Sequence, residues 1–192
     1  MEVDAEAPEI PAGCVLRRLT AADVRQFIAD EKLHIRDDAF KFAFSHDHLP
    51  LGLFMHEQLV NYVIFAHTVA PGPGGMVIRL EPDVAYIWNT FTHDDYRGQR
   101  LLEARAHLQR QQWREFGWRR SVKRFASYID LTNYSSIAAT ERLGNDRVGY
   151  AGYWRIGSNC WKFRSPEVRK MGFRFDEPDM TEAAYLTGKS SA

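Results

Sequence analysis

The residues whose types and spacing could do chemistry lie between Val84 and Leu102, VAYIWNTFTHDDYRGQRLL. Val84 to Thr92 is apolar and rich in strand formers, His93 to Tyr96 is a polar turn, and Arg97-Gly98-Gln99-Arg100 leads into a helix that opens at Leu101. A strand that stops where a helix starts leaves the backbone N–H groups of the first helical turn unpaired and pointing one way, a ready site for phosphate oxygens. Two arginines, Arg97 and Arg100, stand in that loop. The stretch therefore reads as the docking point of a phosphorylated cofactor.

Other clusters carry less. His46 and His48 flank Asp47 at a spacing that tempts a metal reading. No third ligand stands near them and histidines in such a polar break are ordinarily solvated, so no metal is expected. Cys14 and Cys160 are far apart and lack metal-ligand spacing. They read as free thiols in a reducing compartment, which together with the acidic start of the chain makes the cytoplasm the expected location. Between Arg97 and Arg124 nine basic residues stand against two acids. A solvated helix face is the plain explanation, a polyanionic ligand at the loop the functional one, and a nucleic-acid surface the remaining alternative.

The elements that must position this chemistry follow from patterning. At 192 residues and 45% hydrophobic, the chain is long enough for one domain with a real core and too short to require two. No apolar run approaches the roughly 18 residues of a membrane span. Residues 1–14, acidic and holding Pro8 and Pro11, read as a flexible arm. A strand is expected over 15–19, then a helix that Thr20 and Asp23 would cap, then a second helix over 37–44. The runs 51–55 and 59–65 make a hairpin whose second strand, nearly all apolar, should be central. A short strand over 76–80 precedes the strand 84–92. The helix from Leu101, with Leu101, Ala104, Leu108 and Phe116 on its apolar face, should end at Gly117. A strand over 121–131, a short helix over 135–143 burying Ile137 and Ala138, and strands over 147–156 and 159–163 follow. Tyr150, Tyr153, Trp154 and Trp161 could line a pocket, but they read first as filling of a core. The polar, weakly patterned stretch 164–192 is assigned a capping or partner-binding role.

This order of elements resembles the GNAT superfamily of acyl-CoA N-acyltransferases. Two motifs carry the resemblance. Tyr96-Arg97-Gly98-Gln99-Arg100-Leu101-Leu102 is similar to that family's pyrophosphate loop, Arg-x-x-Gly-x-Gly/Ala after an aromatic. Asn133-Tyr134-Ser135-Ser136, running on to Arg142-Leu143-Gly144, is similar to its Asn-x-x-Ser/Ala segment ending in Lys/Arg-Leu-Gly-Phe. They stand 36 residues apart, room for one helix and one strand. The resemblance covers 15–163, most clearly 86–144. It implies an α/β (α+β) single domain, with a mixed, mostly antiparallel sheet of about seven strands flanked by helices and a splayed central strand pair.

The resemblance also implies acetyl-CoA as acyl donor. Phe91 and Thr92 would hold its pantetheine arm and Arg97, Gly98, Gln99, Arg100, Leu101 and Leu102 its pyrophosphate, with Asn133 and Ser136 completing the site. The implied reaction is direct transfer of the acyl group to the amine of a small molecule or peptide, with a backbone N–H near Asn89 to Phe91 polarising the thioester carbonyl. Asp83, Tyr86 and His93 are candidate bases, and Tyr134 a candidate acid. The sequence departs from the family pattern at Arg100 and Leu102, where Gly or Ala is frequent, and at Thr140, where many members carry the tyrosine that protonates the departing thiolate. Thr140 leaves an inactive CoA-binding domain as one alternative, and the basic stretch leaves a nucleic-acid-binding protein as another. A homodimer is allowed; neither a membrane nor a nucleic-acid partner is expected.

Overall fold

The computed structural model describes residues 10–119, 121–157, 159–180, 182 and 183, so most of the expected N-terminal arm lies outside the described residues. The strands are β1 (Cys14–Arg18), β2 (Leu49–Met55), β3 (Gln58–His67), β4 (Val69–Pro71), β5 (Val77–Arg79), β6 (Val84–Thr92), β7 (Arg124–Ala126), β8 (Ala151–Ile156), β9 (Asn159–Arg164) and β10 (Arg174–Asp176). The helices are α1 (Ala21–Phe27), α2 (Asp37–Ser45), α3 (Leu101–Gln112), α4 (Tyr134–Arg142) and α5 (Pro166–Lys170). The main sheet has the order β1-β2-β3-β6-β7. Its neighbours are antiparallel except for the parallel pair β6 and β7.

β3 is central, and Leu59 to Ala66 are buried without a break. A strand covered on both faces reads apolar at nearly every position, while the alternation of its side chains decides which layer each one meets. Val63 and Phe65 pack with Leu101 and Leu108 of α3. Tyr62 and Ile64 pack with Val24 and Phe27 of α1 and Phe40 of α2. α1 begins in a capping box: the Thr20 hydroxyl accepts from the Asp23 N–H at 3.2 Å, and the Asp23 carboxylate accepts from the Thr20 N–H at 2.8 Å. Asp23 also takes both arms of the Arg17 guanidinium, at 2.7 and 2.9 Å.

Several expectations are corrected. The strand read over 121–131 is only the three residues of β7, because its register with β6 stops at Tyr86 opposite Ala126. Beyond that point the Tyr128 N–H donates to the Tyr86 hydroxyl at 3.3 Å. α4 buries none of its residues; Ile137 is half-buried and Ala138 exposed. Among the described residues β8 and β9 pair only with each other, leaving Tyr150, Trp154 and Trp161 about half exposed instead of filling a core. The chain beyond 164 supplies β10, which pairs antiparallel with β5, and brings Phe173 and Phe175 into a buried cluster with Ile78 and Tyr86.

Candidate functional site

β6 is bent by an irregularity in its pairing with β3. Tyr62 pairs with Phe91 and Ile64 with Trp88, which gives β6 an extra residue between them. Asn89 takes up the difference with left-handed backbone, φ 46°. Such a bulge increases local twist and turns the strand from its neighbour. Because β7 has ended by then, β6 and the segment 127–131 part around a cleft of about 1850 Å³. The far end of β6 stays anchored by Asn61, fully buried, whose Nδ2 donates to the Phe91 carbonyl and the Thr92 hydroxyl, each at 2.8 Å.

After β6 the chain makes a short 3-10 turn over Asp94–Tyr96, with His93 Nδ1 accepting from the Asp95 N–H at 3.1 Å. Gly98 and Arg100 then adopt left-handed backbone, φ 78° and 53°. Gly98 meets this requirement at no steric cost; Arg100 does so with a side chain, at the position where the family pattern often has glycine. α3 starts with no side chain capping it, and the Ala104 N–H to Arg100 carbonyl bond, 3.1 Å, opens its ladder. The N–H groups of Leu101, Leu102 and Glu103 are thus available to a ligand in the cleft. The Arg97 guanidinium lies 5.0 Å from the Phe91 ring centre and 2.8 Å from Asp94. Across from α3, Asn133 caps α4, its Oδ1 accepting from the Ser136 N–H at 3.2 Å. The two helices are tied by Arg142 to Glu103 at 3.2 Å and by Arg110 to the Leu143 carbonyl at 3.1 Å.

The cleft gathers Phe91, Thr92, Arg97, Gly98, Arg100, Leu101, Leu102, Asn133 and Ser136; Gln99 does not line it. None of the four acid-base candidates lines it either. Asp83 sits at the closed end of β6, where the Arg124 guanidinium at 2.7 Å holds its carboxyl below the usual range. Tyr86 is buried, and desolvation pushes its phenol well up. His93 is buried in its turn with Nε2 3.3 Å from Asp30. Tyr134 is 76% exposed. Residues the sequence reading did not single out do line the cleft, among them Arg105, Tyr128 and Phe173. Arg105 carried a signal, since it falls four residues after Leu101 on the face that α3 was expected to bury.

His48 is also corrected. It is buried against Phe42 and Trp88 rather than solvated, and burial pushes its imidazole down to about 3. Among the described residues no group of three or more His, Cys, Asp or Glu is placed to hold a metal.

No protein-family model matches the sequence, and no curated protein matches it. Solved structures do. AAC(6')-Iy in complex with the bisubstrate analogue CoA-S-monomethyl-acetylneamine is 14% identical, with 74% of this chain and 97% of that chain covered and a TM-score of 0.54. The aminoglycoside 6'-N-acetyltransferase AAC(6')-Ih from Acinetobacter baumannii is 18% identical over 77% of this chain and 100% of that one, TM-score 0.52. A ribosomal-protein-alanine N-acetyltransferase from Brucella melitensis biovar Abortus 2308 is 17% identical over 75% and 99%, TM-score 0.50. The chain has the fold of the GNAT acetyltransferases.

Proposed function

We propose that this chain is an acyl-CoA-dependent N-acyltransferase, with acetyl the group transferred. The observation that carries this reading is the parting of β6 from β7 beside an uncapped α3 whose approach loop is left-handed at Gly98 and Arg100. A diphosphate fits the free N–H groups of the first turn of α3, with Arg97 and Arg100 beside it. The pantetheine arm would follow β6, which brings the thioester to the bulge at Asn89. There a backbone N–H could stabilise the developing oxyanion, a contribution of about 3 kcal/mol.

The amine must attack in its neutral form. With Asp83, Tyr86, His93 and Tyr134 away from the cleft, its proton passes to water in the open site, and positioning supplies much of the acceleration. Thr140 lines the cleft and is a poor acid. The CoA thiolate can leave without one, because a thiol pKa of about 8.5 makes it a tolerable leaving group near neutral pH. The same reading assigns the protein to the cytoplasm, with Cys14 and Cys160 as free thiols. Among the described residues no helix is long and apolar enough to cross a membrane.

The test is release of free CoA thiol from acetyl-CoA in the presence of a panel of small amines and peptides. Amine-dependent release is expected with at least one acceptor. CoA binding without release across the panel would favour the inactive CoA-binding domain instead.

A further inference from the structure

α3 carries a charge that its packing does not explain. Arg105 stands one turn beyond Leu101 and is 2% exposed. Its Nη1 donates to Oε1 of Gln109, a neutral group, at 2.9 Å, and its Nε has no partner among the described residues. The acid nearest in sequence, Glu103, is engaged by Arg142 at 3.2 Å and Arg100 at 3.8 Å; two residues away on a helix, it does not face Arg105. Burial lowers the guanidinium pKa only to about 10, so the group is a cation at neutral pH. A buried charge without a counter-charge is strongly unfavourable, and a leucine here would simply extend the apolar face of Leu101 and Leu108.

The cleft offers the missing partner. Arg105 lines it together with Arg97, Gly98, Leu101 and Leu102. Three residues, about 4.5 Å of helix axis, separate Arg105 from Leu102 in the uncapped first turn, and Gln109, one turn further on, holds its Nη1. We propose that Arg105 is a buried counter-charge for the diphosphate of the cofactor, completed by the ligand and not by the fold. The inference rests on the acyl-CoA reading above and adds a determinant of affinity to it. It also makes the ligand-free protein less stable than a version with an apolar residue at this position.

Calorimetric titration of the full chain with CoA and with 3'-dephospho-CoA, which keeps the diphosphate, tests this in the wild type, Arg105→Leu and Arg105→Gln. Thermal melts without ligand accompany the titrations. Both variants should bind CoA about tenfold or more weakly, the scale of one charge-assisted hydrogen bond. The loss should be the same factor with 3'-dephospho-CoA, and Arg105→Leu should melt at or above the wild type. Arg105→Gln carries the test should the leucine variant fail to fold. Equal CoA affinity in wild type and folded variants overturns the inference alone, as does a loss that disappears with 3'-dephospho-CoA. A wild type that binds neither ligand overturns the acyl-CoA reading and this inference together.

Discussion

Left-handed backbone at Gly98 and Arg100 turns the chain from β6 into α3 within a few residues, and the two positions differ in what they tolerate. A Cβ added at Gly98 would meet nothing within 4 Å, so the cost of substitution there is conformational and not steric. Gly98→Ala should lower the unfolding free energy by about 1–2 kcal/mol, the expected cost of left-handed backbone for a residue with a side chain. Urea denaturation would show this as a lower midpoint with an unchanged slope, and calorimetry as weaker CoA binding. His48 sets a second expectation. Its folded pKa of about 3 lies below the ordinary 6.5, so protonation favours the unfolded chain. The stability contributed by the neutral ring is complete above pH 6.5 and is lost as the pH falls toward 3, at about 1.4 kcal/mol per unit. Between pH 7 and pH 5 the wild type should lose about 2 kcal/mol more than His48→Leu, read from urea midpoints at the two values. Equal losses would show that this ring does not control the acid limb.

Among the elements, α1 is held by its start as much as by its packing. Asp23 caps it and pairs with Arg17, and its carboxyl is held well below the ordinary value, chiefly by the Arg17 hydrogen bonds. That contribution is present above about pH 4 and is lost as the pH falls through the folded value. Asp23→Ala should therefore cost about 2 kcal/mol at pH 7, with the gap to wild type narrowing at lower pH; a gap independent of pH would place the loss elsewhere. Such local chemistry is what the sequence displays. Thr20 and Asp23 announce the cap, the nearly all-apolar run 59–66 announces a central strand, and the loop 96–102 announces the start of α3. The length of β7 is hidden because it depends on a bulge in another strand, at Asn89. β10 is hidden because it is a three-residue strand whose partner, β5, lies almost a hundred residues away. The acid-base candidates failed to gather for the same reason. Asp83 immediately precedes β6 and Tyr86 lies within it, yet the cleft opens only beyond them, where β6 has left β7. The loop residues did gather, Gln99 excepted, because one turn and one helix start fix them together.

Over the whole molecule, part of the charge excess between Arg97 and Arg124 is engaged away from the cleft: Arg110 holds the Leu143 carbonyl, Arg119 lies 2.6 Å from Asp47, and Arg124 pairs with Asp83. Arg97 and Arg100 remain beside the cleft, with side chains 59% and 73% exposed. This distribution favours a cofactor over a nucleic acid as the reason for the local excess. Arg97→Ala or Arg100→Ala should weaken CoA binding several-fold. The double change Arg110→Ala/Arg114→Ala should leave it nearly unchanged at physiological salt, where screening sets in beyond about 8 Å. RNA binding that falls steeply with salt and depends on the distal pair would support the nucleic-acid alternative. In the proposed function the cleft between β6 and the 127–131 segment takes an acyl-CoA. This is tested by titrating the wild-type chain with acetyl-CoA in a calorimeter and following its melting temperature at rising ligand. Saturable binding is expected, with a melting temperature that climbs with the logarithm of ligand above the dissociation constant. No heat of binding and a flat melting temperature at millimolar acetyl-CoA would contradict it.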